Sequence, residues 1–173
     1  KGSEYEGGVR VPFIASWAKP DTNNKFQKKY PIANNAVQLQ QGTVMDLYPT
    51  ILSVAGVKAK KHYPLDGSDL KKLLQGKADK KHRDDFLMHF PHGEHRANYF
   101  TTYRKGDWKL IYYYNPDTTG EPSWKPYNLK DDPYETTDLA ENQPEKVASM
   151  IELMKERLTE EKALYPINKD EGI

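Results

Sequence analysis

Cysteine is absent from all 173 residues, which excludes disulfide bonds and thiolate zinc sites and leaves the redox compartment undecided. No run approaches the roughly 18 apolar residues a membrane-spanning helix needs, so no membrane partner is indicated. A net charge is missing as well: Lys+Arg number 26 and Asp+Glu 25, giving +1. Basic residues form only short clusters, "KAKKH" and "DKKHR", which read as solvated loops. Without a basic stripe, nucleic acid is not an expected partner. Apolar residues are scarce, at 36% with a mean hydropathy of -0.92. Twelve tyrosines make up part of that deficit, because a tyrosine buries its ring and keeps its hydroxyl wet. The chain opens on "KGSEYEGGVRVP", with no initiator methionine and no signal peptide. So thin a core points to a piece that leans on further polypeptide.

What is there divides into two textures. "VRVPFIASWA" carries Val9, Val11, Phe13, Ile14 and Trp17 in partial alternation and predicts a buried strand, with Gly7 and Gly8 permitting a tight turn before it. Residues 19–35 are polar and hold two prolines, as a surface loop does. "TVMDLYPTILSVAG" predicts a helix with Pro49 in its first turn and Gly56 as its stop. "PLDGSDLKKLLQG" predicts a two-turn helix capped by Ser68 and stopped by Gly76. After the charged linker "KADKKHRDD", the segments "FLMHF", "NYFTTYRKGDWKLIYYY" and "SWKPYNL" read as aromatic strands, with "RKGD" as a hairpin turn. From Pro144, Val147, Met150, Ile151, Met154 and Leu158 fall on one face of a long helix. The break near His82 divides the chain into residues 1–82 and 83–173.

Local chemical signals are few. There is no G-x-S-x-G elbow, no H-E-x-x-H and no P-loop. Three histidines cluster in "MHFPHGEHRANY": His89, His92 and His95, with Arg96 beside them. Pro91 and Gly93 make this a loop, so neither a helical pair nor an alternating strand pair of ligands results and no metal site is read here. A contact to an anion or polar ligand suits the cluster better. Lys1 in isolation reads as a solvated surface charge.

Five stretches in order resemble the C-terminal part of the type I sulfatases, formylglycine-dependent members of the alkaline-phosphatase-like superfamily. They are "KGSEYEGGVRVPFIASW", "MDLYPTILSVAG", "LDGSDLKKLLQG", "YRKGDWKLI" and "YNLKDDPYETTDLAEN". The resemblance implies an α/β fold: the end of a large α/β sheet domain in residues 1–82, then a small antiparallel sheet packed by a C-terminal helix in 83–173. It also implies a sulfuric ester hydrolase acting on a sulfated small molecule or glycan. Lys1 falls on the family's lysine that contacts the sulfate ester oxygens, and is the candidate catalytic residue. Glu6 and Arg10 are expected to pair and hold the turn beneath it. His89, His92, His95 and Arg96 are candidate substrate-binding residues, since the tail subdomain walls the family's pocket. The family's C/S-x-P-S-R nucleophile motif, source of the formylglycine, and its calcium ligands are not found in this sequence. The expectation is therefore a C-terminal fragment, inactive alone, whose calcium and formylglycine come from an N-terminal segment acting as its partner. Periplasmic or secreted localisation follows from the same resemblance. Two alternatives stand beside it: a phosphonate or phosphodiester hydrolase of the same superfamily, and a non-catalytic module using the Tyr/Trp-rich sheet to bind carbohydrate. Exposed rings at Trp108, Tyr112 and Tyr114 would favour the module, and burial under the C-terminal helix would count against it.

Overall fold

A computed structural model describes residues 3–91, 99–114 and 123–166. In chain order its elements are α1 (Glu6–Val9), α2 (Lys25–Lys29), a 3-10 turn (Val44–Asp46), α3 (Leu47–Ala55), α4 (Lys71–Leu74), β1 (Asp85–Phe90), β2 (Phe100–Lys105), β3 (Trp108–Tyr113), β4 (Trp124–Asn128) and α5 (Pro144–Glu160). Two units result: residues 12–84, and a second in which the chain up to Val11 joins everything from Asp85 onward.

Residues 12–84 are held together more by polar caps than by apolar packing. Asn24 accepts from the Phe26 and Gln27 amides and starts α2. Asp46, buried, accepts from the Thr43 amide at 2.7 Å and from the Ser68 amide at 2.8 Å. Its own carbonyl takes the Thr50 hydroxyl, which in turn accepts from the Leu70 amide. One aspartate thereby joins the start of α3 to the start of α4. Gly67 has to be glycine in this arrangement, since a Cβ there would lie 2.2 Å from the Met45 carbonyl oxygen. Gly56 and Gly76 end their helices at positive φ, 70° and 73°, as expected for left-handed C-terminal caps.

Two expectations fail in this stretch. Ser68 does not cap α4. Asp69 instead accepts from the Lys71 amide at 2.9 Å, while the Ser68 hydroxyl meets His82 Nδ1 at 2.7 Å. A carboxylate two residues ahead offers the backbone a tighter turn than the serine does. The strand expected from Val9 to Ala18 is not formed either. Its first residue ends α1, the rest is irregular, and Phe13 and Ile14 are exposed. A strand needs a neighbour for its N–H and C=O groups, and among the described residues none pairs with this stretch.

The second unit contains an antiparallel sheet in the order β1-β2-β3-β4. Lys105 pairs with Trp108, so the β2–β3 connection is Gly106 and Asp107 alone, with Gly106 at φ 58°. Side chains alternate between two faces. Leu87, Tyr103, Trp108, Leu110, Tyr112 and Trp124 lie on one face, under Met150, Met154 and Leu158 of α5. Phe100, Ile111, Tyr113 and Tyr127 form a second core on the opposite face, with Tyr5 packed against it. That face is covered by the N-terminal segment, whose Tyr5 ring meets Tyr127 edge-on at 6.3 Å. The half-buried Trp108 and Tyr112 belong to the α5 core, and Tyr114 is likewise half-buried, an arrangement that argues against an open carbohydrate-binding face.

Candidate functional site

Four sequence-predicted residues, Lys1, His92, His95 and Arg96, lie outside the described residues. Residues 4–8 form a strap bonded to the sheet of the second unit. Three consecutive side chains, Glu4, Tyr5 and Glu6, turn into the sheet. Glu4 is buried and accepts from the Tyr113 hydroxyl at 2.6 Å. The Tyr5 hydroxyl lies 3.2 Å from the Tyr113 hydroxyl and accepts from Lys125 Nζ at 3.3 Å. Burial first, and the Glu4 carboxylate second, push the Tyr113 phenol well above its usual range, so it is the neutral hydroxyl that donates.

Glu6 sits in a cluster of four charges. Lys109 Nζ lies 3.1 Å from Glu6 Oε1 and 2.7 Å from Glu135 Oε1. Arg104 Nη1 lies 3.1 Å from Glu6 Oε2, and the Glu6 amide donates to Glu135 Oε2. The side chains of Lys109 and Glu135 are each only 2% exposed. Two cations thus balance two anions, and every charge has a partner, as buried ions require. The Glu6–Arg10 pair expected from the sequence is replaced by this inward set; Arg10 contributes a backbone bond to the Glu6 carbonyl.

Local conformation supports the cluster. Glu135 adopts φ 57°, a left-handed conformation costing a non-glycine residue roughly 1–2 kcal/mol. Asp132 stabilises that loop, accepting from the Thr136 and Thr137 amides at 2.7 and 2.8 Å. The Thr137 amide bond is the largest cause of its lowered pKa. On the other side of the strap, a Cβ on Gly8 would lie 2.4 Å from the Ser3 carbonyl oxygen. The chain therefore folds back tightly upon itself between Ser3 and Gly8.

His89 is the one described member of the histidine cluster. Its Nδ1 meets Thr101 Oγ1 at 2.7 Å and its Nε2 meets the Leu164 carbonyl at 2.7 Å. Tyr114 and Tyr165 pack edge-on against its ring. Both nitrogens are engaged within the unit, so the ring ties the end of β1 to the chain beyond α5.

Sequence reasoning passed over Lys109, Arg104 and Glu135. Lys109 had a readable signal, since alternation puts it on the same face as Ile111 and Tyr113, an inward position for a cation. Glu135 had a signal only through the resemblance, as the glutamate of "DDPYE" in the last of the five stretches; composition and spacing do not mark it as buried. Among the described residues no group of three or more His, Asp or Glu is arranged to hold a metal ion. Calcium has no cage in them.

Residues 1–164 match the family described as N-sulphoglucosamine sulphohydrolase, C-terminal. A sulfatase of Formosa agariphila is 32% identical over 171 residues, covering 91% of this chain and 28% of its own. The pig N-acetylgalactosamine-6-sulfatase is 33% identical over 106 residues, 58% of this chain and 18% of its own. Among solved structures, a protein in complex with its substrate D-glucosamine-2-N,6-O-disulfate superposes with a TM-score of 0.63 at 25% identity. That superposition covers 76% of this chain and 26% of the other. A 2-O GAG sulfatase shares the fold with a TM-score of 0.54 at 24% identity, over 68% of this chain and 24% of its own. This chain thus spans roughly a quarter or less of each of these relatives.

Proposed function

Since the chain belongs to the N-sulphoglucosamine sulphohydrolase C-terminal family, we propose that it serves as the C-terminal part of a sulfuric ester hydrolase acting on sulfated carbohydrate. The observation that carries this reading is the family match over residues 1–164. Lys1 contributes the cation. Breaking a sulfate ester builds negative charge on the sulfuryl oxygens and on the departing oxygen, and an ammonium at hydrogen-bond distance stabilises that charge.

Calcium and formylglycine, features of the sulfatase family, supply electrophile and nucleophile when present, and in this reading both come from residues outside this chain. The carbohydrate class is supported by the solved relative in complex with a disulfated glucosamine. His92, His95 and Arg96 contact the organic part of the substrate. His89, with both ring nitrogens engaged, anchors the base of that loop.

The test uses the full-length polypeptide carrying residues 1–173, assayed with calcium on an aryl sulfate and on a sulfated glucosamine. Lys1→Ala is expected to lower kcat/KM on both substrates by on the order of 10²–10³-fold, about 3–4 kcal/mol, as for loss of one transition-state donor. His92→Ala and Arg96→Ala should impair the sugar substrate much more than the aryl sulfate. Residues 1–173 alone should turn over neither. A normally folded, unimpaired Lys1→Ala enzyme would remove Lys1 from the site, and equal losses on both substrates would remove the loop from substrate recognition.

A further inference from the structure

We propose that residues 25–38 and 69–83 together form a binding surface for sulfated polysaccharide; this rests on the reading of the protein as part of a hydrolase of sulfated carbohydrate. The whole-chain charge of +1 conceals a division. Residues 12–84 contain 13 Lys and Arg against six Asp and no Glu, a net +7. The rest of the chain carries 13 against 19, a net -6. Of the 13 cations in the basic unit, twelve are lysines.

Within that unit the fold gathers charge that the sequence spreads out. Lys28 and Lys29 end α2, directly ahead of the buried Tyr30. Lys71 of α4 lies over the Tyr30 ring, 5.4 Å from its centre. The Ala33 amide donates to the Leu74 carbonyl at 2.8 Å, and Gln38 Nε2 donates to the Lys77 carbonyl at 3.1 Å. Residues 28–38 thus run beside 69–77, which brings the lysines of α2 next to those of α4 and of "KADKKHR". The segments 25–38 and 69–83 hold nine cations and two aspartates. Both aspartates are already bonded. Asp69 takes the Tyr30 hydroxyl and the Lys71 amide, and Asp79 takes Lys72 Nζ at 2.9 Å and the Lys81 amide at 3.0 Å. Lys28, Lys29, Lys72, Lys77, Lys80 and Lys81 are all exposed.

Like charges at this density repel one another and attract anions. An apolar neighbour does not cover them, because burying an unpaired ammonium is far costlier than leaving it in water. Exposed Phe13 and Ile14 of the same unit are the side chains such a neighbour would take, and the lysines stay at the surface. Their chemistry points to the kind of anion. A lysine presents a compact, mobile point charge, whereas fixed recognition of a planar anion or of a base edge draws on the arginine fork. A face built almost wholly of lysine suits a polymer whose anionic groups repeat along a flexible chain. Sulfated polysaccharide has that form and shares its chemistry with the proposed substrate.

The experiment measures binding of the full-length polypeptide to heparin over a series of salt concentrations. Each charge neutralised on a polyanion releases counterions, so the steepness of log Kd against log salt counts the contacts. Lys28→Gln combined with Lys77→Gln and Lys80→Gln is expected to lower that slope by about two to three and to weaken binding on the order of tenfold near physiological salt. Lys28→Gln alone, with a change of about one, replaces the triple variant should that fold poorly. Lys130→Gln, Lys155→Gln and Lys162→Gln together remove the same charge from exposed positions of the acidic unit, and should leave the slope within about one of the parent. Equal losses from the two triple variants would overturn the proposal, as would undiminished binding of heparin stripped of its sulfates. Tighter binding of duplex DNA than of heparin at matched charge would overturn it in favour of nucleic acid. A full-length protein that binds heparin through these lysines yet hydrolyses no sulfated sugar would instead overturn the functional reading and keep the surface.

Discussion

Replacing Lys109 with methionine tests the energetics of the charge cluster directly. The substitution keeps a straight, similarly long side chain and removes only the ammonium, leaving Glu6 Oε1 and Glu135 Oε1 without the cation that now lies 3.1 and 2.7 Å from them. Arg104 still holds the other Glu6 oxygen, but Glu135, 2% exposed at its side chain, is left charged in a dry site. Breaking a buried pair from one side costs about 3–5 kcal/mol, whereas a surface pair would cost about 0–1 kcal/mol. The sequence neighbours of Lys109 in β3 are Trp108 and Leu110, both in the core under α5, so the opening of this strand reports on the whole unit. Amide exchange of β3, followed by mass spectrometry, reads this unit separately from residues 12–84. The second arm combines Lys109→Met with Glu135→Gln, removing the stranded anion along with its cation. The double variant should be more stable than Lys109→Met alone, by about 1–3 kcal/mol. A loss below about 1 kcal/mol for Lys109→Met, or a double variant worse than the single, would show that the cluster is not the desolvated unit its distances describe.

Two further outcomes follow from other parts of the chain. Gly67→Ala places a carbon 2.2 Å from the Met45 carbonyl and should destabilise residues 12–84 by about 1–3 kcal/mol, seen as a lowered thermal midpoint by circular dichroism; an unchanged midpoint would mean the Met45–Gly67 contact is not kept in solution. The pKa of Asp132 is lowered chiefly by the Thr137 amide, so its contribution is complete above the ordinary carboxylate range and is lost as pH falls through its depressed folded value. Asp132→Asn should therefore destabilise the unit at neutral pH and flatten its acid sensitivity below about pH 4, and parallel acid-unfolding curves for the two proteins would refute that account.

The parts of the fold that were legible in the sequence are those governed by local pattern. Met150, Met154 and Leu158 recur at helical spacing and are the buried face of α5. Gly106 marks the β2–β3 turn, and the aromatic runs are strands. The failures have a common physical origin in competition for partners. The apolar alternation of Val9–Ala18 satisfies strand propensity, but hydrogen bonds come from neighbours, which composition cannot specify. Ser68 is a good cap by type, and Asp69 beside it is a better-placed acceptor. In the candidate site, Lys1 is a candidate by resemblance and the histidine loop by its clustering, and of these only His89 lies among the described residues, while the cluster that anchors the strap links Glu6 to residues about a hundred positions away. No local pattern encodes such a pairing, except for the lysine in an inward strand position.

The bond between the Glu6 amide and Glu135 spans 129 positions, and that span constrains the order in which the chain can fold. The hairpin of β2 and β3 closes over two residues and can form early, whereas the strap meets its last partner only once Glu135 is available. Closing so long a loop is entropically costly and recovers little until the final contacts form. Until then the face bearing Phe100, Ile111, Tyr113 and Tyr127 lacks its Tyr5 cover, and Lys109 lacks its second carboxylate. Closure of the Glu6–Glu135 bond is therefore expected to come late in folding, as pulsed hydrogen exchange at the Glu6 amide would show. A chain shortened before Glu135 would lose α5 from one face of the sheet and the clasp of the strap from the other.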